Sequence, residues 1–217
     1  MKNKKIKIAI DIDDCICNTL DTDFTYGYYY AKRNNLFNEE IDYDNQYFFV
    51  PKTFNMDKNQ ELDFFQTEKQ IIMDNMLMFP FAFAKDVINT LYTQCEITIL
   101  SSREDIYWNN KTYQYAKKWL KKYNFKYDKL VVNCLNKGIF CKENNISLLI
   151  EDNSNHAQSV NDLGIKTILL KKSYNKNYAN NLNKFAINWL HAFDIINNDY
   201  FSNTLHIKLK KTIFIDI

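Results

Sequence analysis

Asp11, Asp13 and Asp14 crowd into four consecutive positions directly after the apolar run Ile6-Lys7-Ile8-Ala9-Ile10. An apolar strand that stops at three carboxylates is a junction suited to catalysis. Two unit charges ~4 Å apart near a protein surface repel by about 4 kcal/mol, so something must offset them. Magnesium is a suitable partner, because it prefers carboxylate and carbonyl oxygens and keeps coordination places for water and a substrate phosphate. The plain alternative is an acidic strand-to-loop turn.

Further reactive groups sit at the ends of other apolar runs. Residues 96–100 end at Ser101-Ser102-Arg103, and residues 147–150 end at Glu151-Asp152. Lys137 stands just before Gly138 and a helix expected to reach Asn144. In open α/β sheets ligands bind outside the carboxyl ends of the strands. These ends together offer a carboxylate nucleophile or base, hydroxyl and cationic groups for phosphate oxygens, and acids for a metal, which are the parts of a phosphoryl-transfer site. Each has a plainer reading: Ser101 as a helix cap, Lys137 as a solvated lysine, Arg103 as the partner of an acid. Glu151 is expected beside the metal ligands rather than among them, and His156 on the surface.

The elements that must position these groups alternate. Strands are expected at 6–12, 96–100, 129–132, 147–150 and 167–170, and helices at 84–94, 109–123 and 154–163, the last ahead of Gly164 as a C-terminal cap. This alternation predicts an α/β fold with a doubly wound parallel sheet. Residues 18–83 contain no comparable strand and read as a small helical cap inserted after the first strand, with helices at 19–34 and 57–76. The insertion is dense in aromatics, among them Phe24, Tyr30, Phe37, Tyr43, Tyr47, Phe48, Phe49, Phe54, Phe64 and Phe65. Most belong to a small core of their own; some could line a pocket and stack on a nucleobase. Residues 182–196 read as a final amphipathic helix and 204–217 as a strand or hairpin. The core is therefore expected at 1–17 and 84–196, the cap at 18–83 and a tail of unassigned role at 197–217.

The chain has 217 residues, enough for one sizeable core carrying an insertion. Its net charge of +2 demands no anionic polymer, and no basic block with interleaved aromatics marks a nucleic-acid surface. Five cysteines are an odd number without paired CxxC modules, so reduced thiols in a cytoplasmic compartment are expected. Cys15 and Cys17 beside the acids leave open a soft-metal or redox role. No apolar stretch reaches the ~20 residues of a membrane span. The expected partner is a small phosphorylated molecule, with a homo-oligomer left open.

In this order the motifs resemble those of the haloacid dehalogenase-like phosphohydrolase superfamily. Its DxDx(T/V) motif is matched by Asp11-Ile12-Asp13-Asp14-Cys15, its strand ending in Ser or Thr by Ser101, its lysine by Lys137 and its paired acids by Glu151-Asp152. Ser101-Ser102-Arg103 and the stretch from Lys137 to Asn153 are most similar to the 5'(3')-deoxyribonucleotidase-like group, which includes bacterial nucleotidases. Four features depart from the pattern: Cys15 for Thr or Val, Asp14 where glycine is frequent, Glu151 where Asp is common, and His156 where some members carry an acid.

The resemblance implies a Rossmannoid fold and a magnesium-dependent phosphatase acting on a small phosphomonoester, in the first place a (deoxy)nucleoside monophosphate. It makes Asp11 the nucleophile and Asp13 the acid and base. Asp11, the Asp13 carbonyl and Asp152 become the magnesium ligands, and Ser101, Ser102, Arg103 and Lys137 the phosphate-binding groups. A sugar phosphate or a nucleic-acid 3'-phosphate as substrate, or a non-catalytic role in binding a phosphometabolite, are the competing expectations.

Overall fold

A computed structural model describes residues 5–36 and 50–207 of the chain. Six strands form one sheet: β1 (Ile6–Ile10), β2 (Cys95–Leu100), β3 (Lys129–Val131), β4 (Leu148–Glu151), β5 (Lys166–Leu170) and β6 (Asn183–Ala186). They lie in the order β3-β2-β1-β4-β5-β6, and every pairing is parallel. The helices are α1 (Leu20–Arg33), α2 (Val50–Thr53), α3 (Lys58–Gln66), α4 (Glu68–Asp74), α5 (Ala84–Leu91), α6 (Thr112–Lys122), α7 (Lys137–Glu143), α8 (Ser154–Asn161) and α9 (Trp189–Phe201).

The apolar run of β1 follows from its central place. Ile8 and Ile10 point to one core with Ile97, Ile99, Leu148 and Ile150, beneath α5, α6 and α9. Ala9 points the other way, to Leu100, Leu149, Cys141 and Val160, beneath α7 and α8. A parallel strand covered on both faces needs no polar alternation. Gly138 lets α7 close on α8: a Cβ there would lie 2.3 Å from the backbone oxygen of Ser159.

Register is what brings the strand tips together. Ile10 is paired with Ile99 on one side and Ile150 on the other. The next residue, Asp11, donates its N–H to the Ile150 carbonyl at 3.0 Å. Asp11, Ser101 and Glu151 therefore emerge at one edge, and the loops beyond them converge.

Between β1 and α5 the chain builds α1 to α4 around a separate cluster of Tyr30, Ala31, Val50, Phe54 and Phe64. The helix expected over 57–76 is broken at Thr67, whose ψ of −75 separates α3 from α4. Phe37, Tyr43, Tyr47, Phe48 and Phe49 lie outside the described residues.

The helix expected over 182–196 is corrected. Its first part is β6, which pairs with β5 from Thr167↔Asn183 to Leu170↔Ala186. The helix begins only at Trp189, where the Asn188 side chain caps the N–H of His191. Residues 204–207 carry no strand, and the remainder of the expected hairpin lies outside the described residues. Among the described residues no helix is long and apolar enough to cross a membrane.

Candidate active site

Asp11 leaves β1 with its side chain over α7. Lys137, the first residue of α7, donates its ammonium to Asp11 Oδ1, and also to Glu151 Oε2 at 2.7 Å. Asn136 fixes that helix start by accepting the Ile139 N–H. Lys137 is only 1% exposed, so its charge is spent wholly on these two acids. Burial pushes the Glu151 carboxyl up, but the charge of Lys137, joined by the His156 contact, outweighs it and holds the group at about 2. Asp11 is driven well above its usual range, first by burial and then by the charge of Glu151.

Asp152 follows on the same strand tip. Tyr174 donates its hydroxyl to Asp152 Oδ2 at 2.6 Å, and the Asn175 amide bonds both the Asp152 and Leu170 carbonyls. Burial and the neighbouring Glu151 and Asp11 raise the Asp152 carboxyl strongly. Oxygen atoms of Asp11, Glu151 and Asp152 lie within 4.8 Å of one another. Three converging carboxylates with one lysine among them are short of positive charge, and an oxygen-only donor set suits magnesium. Both Glu151 oxygens are already engaged, Oε2 by Lys137 and Oε1 by the Asn153 N–H and His156. That leaves Asp11 and Asp152 as the side chains best able to take a cation.

Asp13 is held differently. Arg103 donates Nε–H to Asp13 Oδ2 at 2.7 Å and Nη2–H to Oδ1 at 2.6 Å, and Thr19 donates its hydroxyl to Oδ1 at 2.7 Å. Burial pushes this carboxyl up, yet the Arg103 charge and hydrogen bonds outweigh it and hold it well below the usual range. Two carboxylates two residues apart thus have opposite environments, one strained toward protonation and one kept ionised.

The loop between them is tied down. Asp14 adopts φ 51, in the left-handed region, and its Oδ1 accepts the Leu20 N–H at the start of α1. Trp189 reaches across from α9 to donate to the Cys15 carbonyl at 2.9 Å. Cys15 and Cys17 are buried, and burial pushes both thiols up, which is contrary to the reactive thiolate a redox role requires.

One cavity of about 420 Å³ opens here, lined by Asp11, Asp13, Ser102, Arg103 and Asp152 together with the aromatic rings of Phe65, Tyr107 and Trp108. Two of the expected phosphate-binding groups do not line it. Ser101 is fully buried, and its Oγ accepts the Arg103 N–H at 3.2 Å. Lys137 sits beneath Asp11. Arg103, expected either on phosphate or as the partner of an acid, lines the cavity and pairs with Asp13. His156, expected on the surface, lines the cavity with Nδ1 3.4 Å from Glu151. The Asp13 side chain, occupied by Arg103 and Thr19, stands outside the three-carboxylate set.

Sequence reasoning did not single out Tyr174, Asn175, Trp108 or the Asp23–Lys69 ion pair. Tyr174 and Asn175 follow the strand next to β4, so their position beyond a sheet tip was the available signal. Asp23 and Lys69 are 46 positions apart and had none.

No protein-family model matches this sequence, and no curated protein matches it. Solved structures do. A haloacid dehalogenase-like hydrolase from Streptococcus pneumoniae has a TM-score of 0.63 at 11% identity, over 88% of this chain and 98% of its own. A predicted phosphoglycolate phosphatase from Haemophilus somnus gives 0.62 at 11%, over 90% and 99%. A HAD hydrolase from Bacillus subtilis, solved bound to magnesium, gives 0.61 at 12%, over 90% and 100%. At these identities what is shared is the fold: the chain has the haloacid dehalogenase-like α/β architecture.

Proposed function

We propose that the chain is a magnesium-dependent phosphatase that hydrolyses a small phosphomonoester, in the first place a (deoxy)nucleoside monophosphate. The observation that carries this reading is the pair Asp11 and Asp13 on one cavity, with opposite electrostatic environments, beside a third and fourth acid at the β4 tip. The nucleophile must be ionised, and a cation taken by Asp11 and Asp152 would shift Asp11 to that form, while Asp13 stands on the same cavity within reach of a leaving oxygen.

Asp11, anchored by Lys137, attacks phosphorus; the ester P–O bond breaks and an aspartyl-phosphate forms on Oδ of Asp11. Asp13 gives a proton to the leaving oxygen and takes one from the water that then cleaves the acyl phosphate. Arg103 keeps Asp13 ionised, which suits the second step. In the first step the arriving phosphoryl group draws on Arg103 and loosens that hold, so that Asp13 takes up a proton from solvent and passes it to the leaving oxygen. Magnesium, held by Asp11, Asp152 and the Asp13 carbonyl, would supply the charge that brings a phosphate dianion onto an acidic floor. Residues 18–83 act as the cap, and Phe65, Tyr107 and Trp108 offer ring faces to a base.

The test is a panel of nucleoside monophosphates, sugar phosphates and an oligonucleotide 3'-phosphate, assayed with magnesium and with EDTA, on the wild type and Asp11→Asn. Phosphate release that needs magnesium and is lost in Asp11→Asn, with the highest kcat/KM on a nucleoside monophosphate, supports the reading. Release unaffected by Asp11→Asn overturns it and favours a binding protein on the same scaffold.

A further inference from the structure

We propose, resting on the phosphatase reading, that the leaving group of the substrate is uncharged or cationic, so that the phosphoryl group is the substrate's sole anion. The cations available to a second anion decide this. Among the described residues the cavity is lined by Arg103, Lys69 and His156, and carboxylates outnumber them. Each of the three already faces a carboxylate. Arg103 uses Nε and Nη2 on Asp13. Lys69, from α4, donates to Asp23 Oδ2 on α1, with its side chain only 3% exposed. His156 faces Glu151.

The two strong cations also converge on one ring. Trp108 has the Arg103 guanidinium carbon 4.9 Å and the Lys69 ammonium 5.1 Å from its centroid. Each charge is thus held between a carboxylate and an aromatic face, an arrangement that stabilises it where it stands. Asp23 Oδ1 has no hydrogen-bond partner. The wall made by Asp23, Lys69, Phe65 and Trp108 therefore carries a neutral ion pair, with no cation to spare. It offers no uncommitted cation to a carboxylate or second phosphate, and the carboxylates that share the cavity disfavour one, whereas an uncharged or cationic group meets no such penalty. Selectivity gained by repulsion is as effective as selectivity gained by contact. Nucleosides and neutral sugars fit this class; bisphosphates and phosphocarboxylates do not.

The test uses the full chain with magnesium and three esters on one frame: benzyl phosphate, 4-carboxybenzyl phosphate and 4-(aminomethyl)benzyl phosphate. The expected kcat/KM for the carboxylate is at least about tenfold below that of benzyl phosphate, with the amine equal to it or higher. Asp23→Asn keeps the size of the side chain and an oxygen for Lys69 while removing the charge, so it narrows the carboxyl-to-benzyl gap. A structural role would lower all three substrates together and leave the ratio unmoved, which overturns the proposal, as does equal turnover of the carboxylate by the wild type. If none of the esters is hydrolysed, the phosphatase reading is still decided by the nucleotide and sugar phosphate panel. The charge preference is then read from calorimetric Kd values for benzylphosphonate and 4-carboxybenzylphosphonate. A tenfold preference for the uncharged compound sustains it; equal affinity, or binding of neither, overturns it.

Discussion

Arg103 and Asp13 meet fork to fork, Nε on Oδ2 at 2.7 Å and Nη2 on Oδ1 at 2.6 Å, across 90 positions of sequence. This geometry belongs to a guanidinium; an ammonium cannot reproduce it. Arg103→Lys therefore loses the second bond, and the Asp13 carboxyl rises as burial gains over the remaining charge. If Asp13 accepts the proton from water, kcat should fall by about 10²-fold, the scale of acid and base catalysis. The acid limb of the kcat against pH profile should move to higher pH. An unchanged limb would remove Asp13 from the proton-transfer role.

Lys137 joins Asp11 and Glu151 from beneath the site, with no surface of its own. Removing one partner of a buried ion pair costs about 3–5 kcal/mol, because the other charges stay buried and unpaired. Lys137→Met should lose that much in urea unfolding. The pH dependence should change too. Glu151 is held at about 2 against an ordinary value of 4.5, so its contribution to stability is present above 4.5 and is lost as pH falls from there to about 2. In Lys137→Met that acid-limb loss should shrink to the part that His156 sustains.

Asp14 has the opposite sign. Burial pushes its carboxyl up to about 7, with the Leu20 N–H only partly opposing it. The folded protein holds this proton more tightly than the unfolded chain, so stability of the metal-free protein falls as pH rises from about 3.8 to about 7. Asp14→Asn keeps the acceptor for Leu20, and asparagine tolerates the left-handed φ of 51. The variant should match the wild type near pH 4 and exceed its Tm at pH 8. Equal Tm values at both pH values would show that Asp14 does not titrate in this range.

What the sequence made legible is what local pattern encodes. The β1 run and the acids that end it were readable because a strand buried on both faces leaves a continuous apolar signature, and its polar exit is abrupt. Ser101, Lys137 and Glu151-Asp152 could be ordered along the sheet for the same reason. Their partners could not be, since Arg103 to Asp13 and Lys69 to Asp23 are contacts made by folding and leave no periodic trace. Residues 182–196 misled because Phe185, Ile187, Trp189, Leu190 and Phe193 mix a two-residue step with helical steps. Only the Asn188 cap marks where strand gives way to helix.

Tyr174 bears on the metal without being a ligand. Its hydroxyl holds Asp152 Oδ2 at 2.6 Å, while Asn175 fixes the Asp152 carbonyl, so the loop after β5 sets the direction of a carboxylate on β4. Partners that orient a ligand are worth about 10–100-fold in metal affinity. A cation that binds only the folded protein raises its stability by RT ln(1 + [L]/Kd), so thermal unfolding reads affinity without any turnover. Magnesium should therefore raise the wild-type Tm, leave Asp152→Asn almost unmoved, and shift Tyr174→Phe only at about tenfold higher concentration. The rise should also grow with pH, because Asp11 and Asp152, both raised first by burial and then by neighbouring carboxylates, must shed protons to take the ion. Tyr174→Phe titrating with magnesium like the wild type would show that Asp152 is aimed by the strand alone.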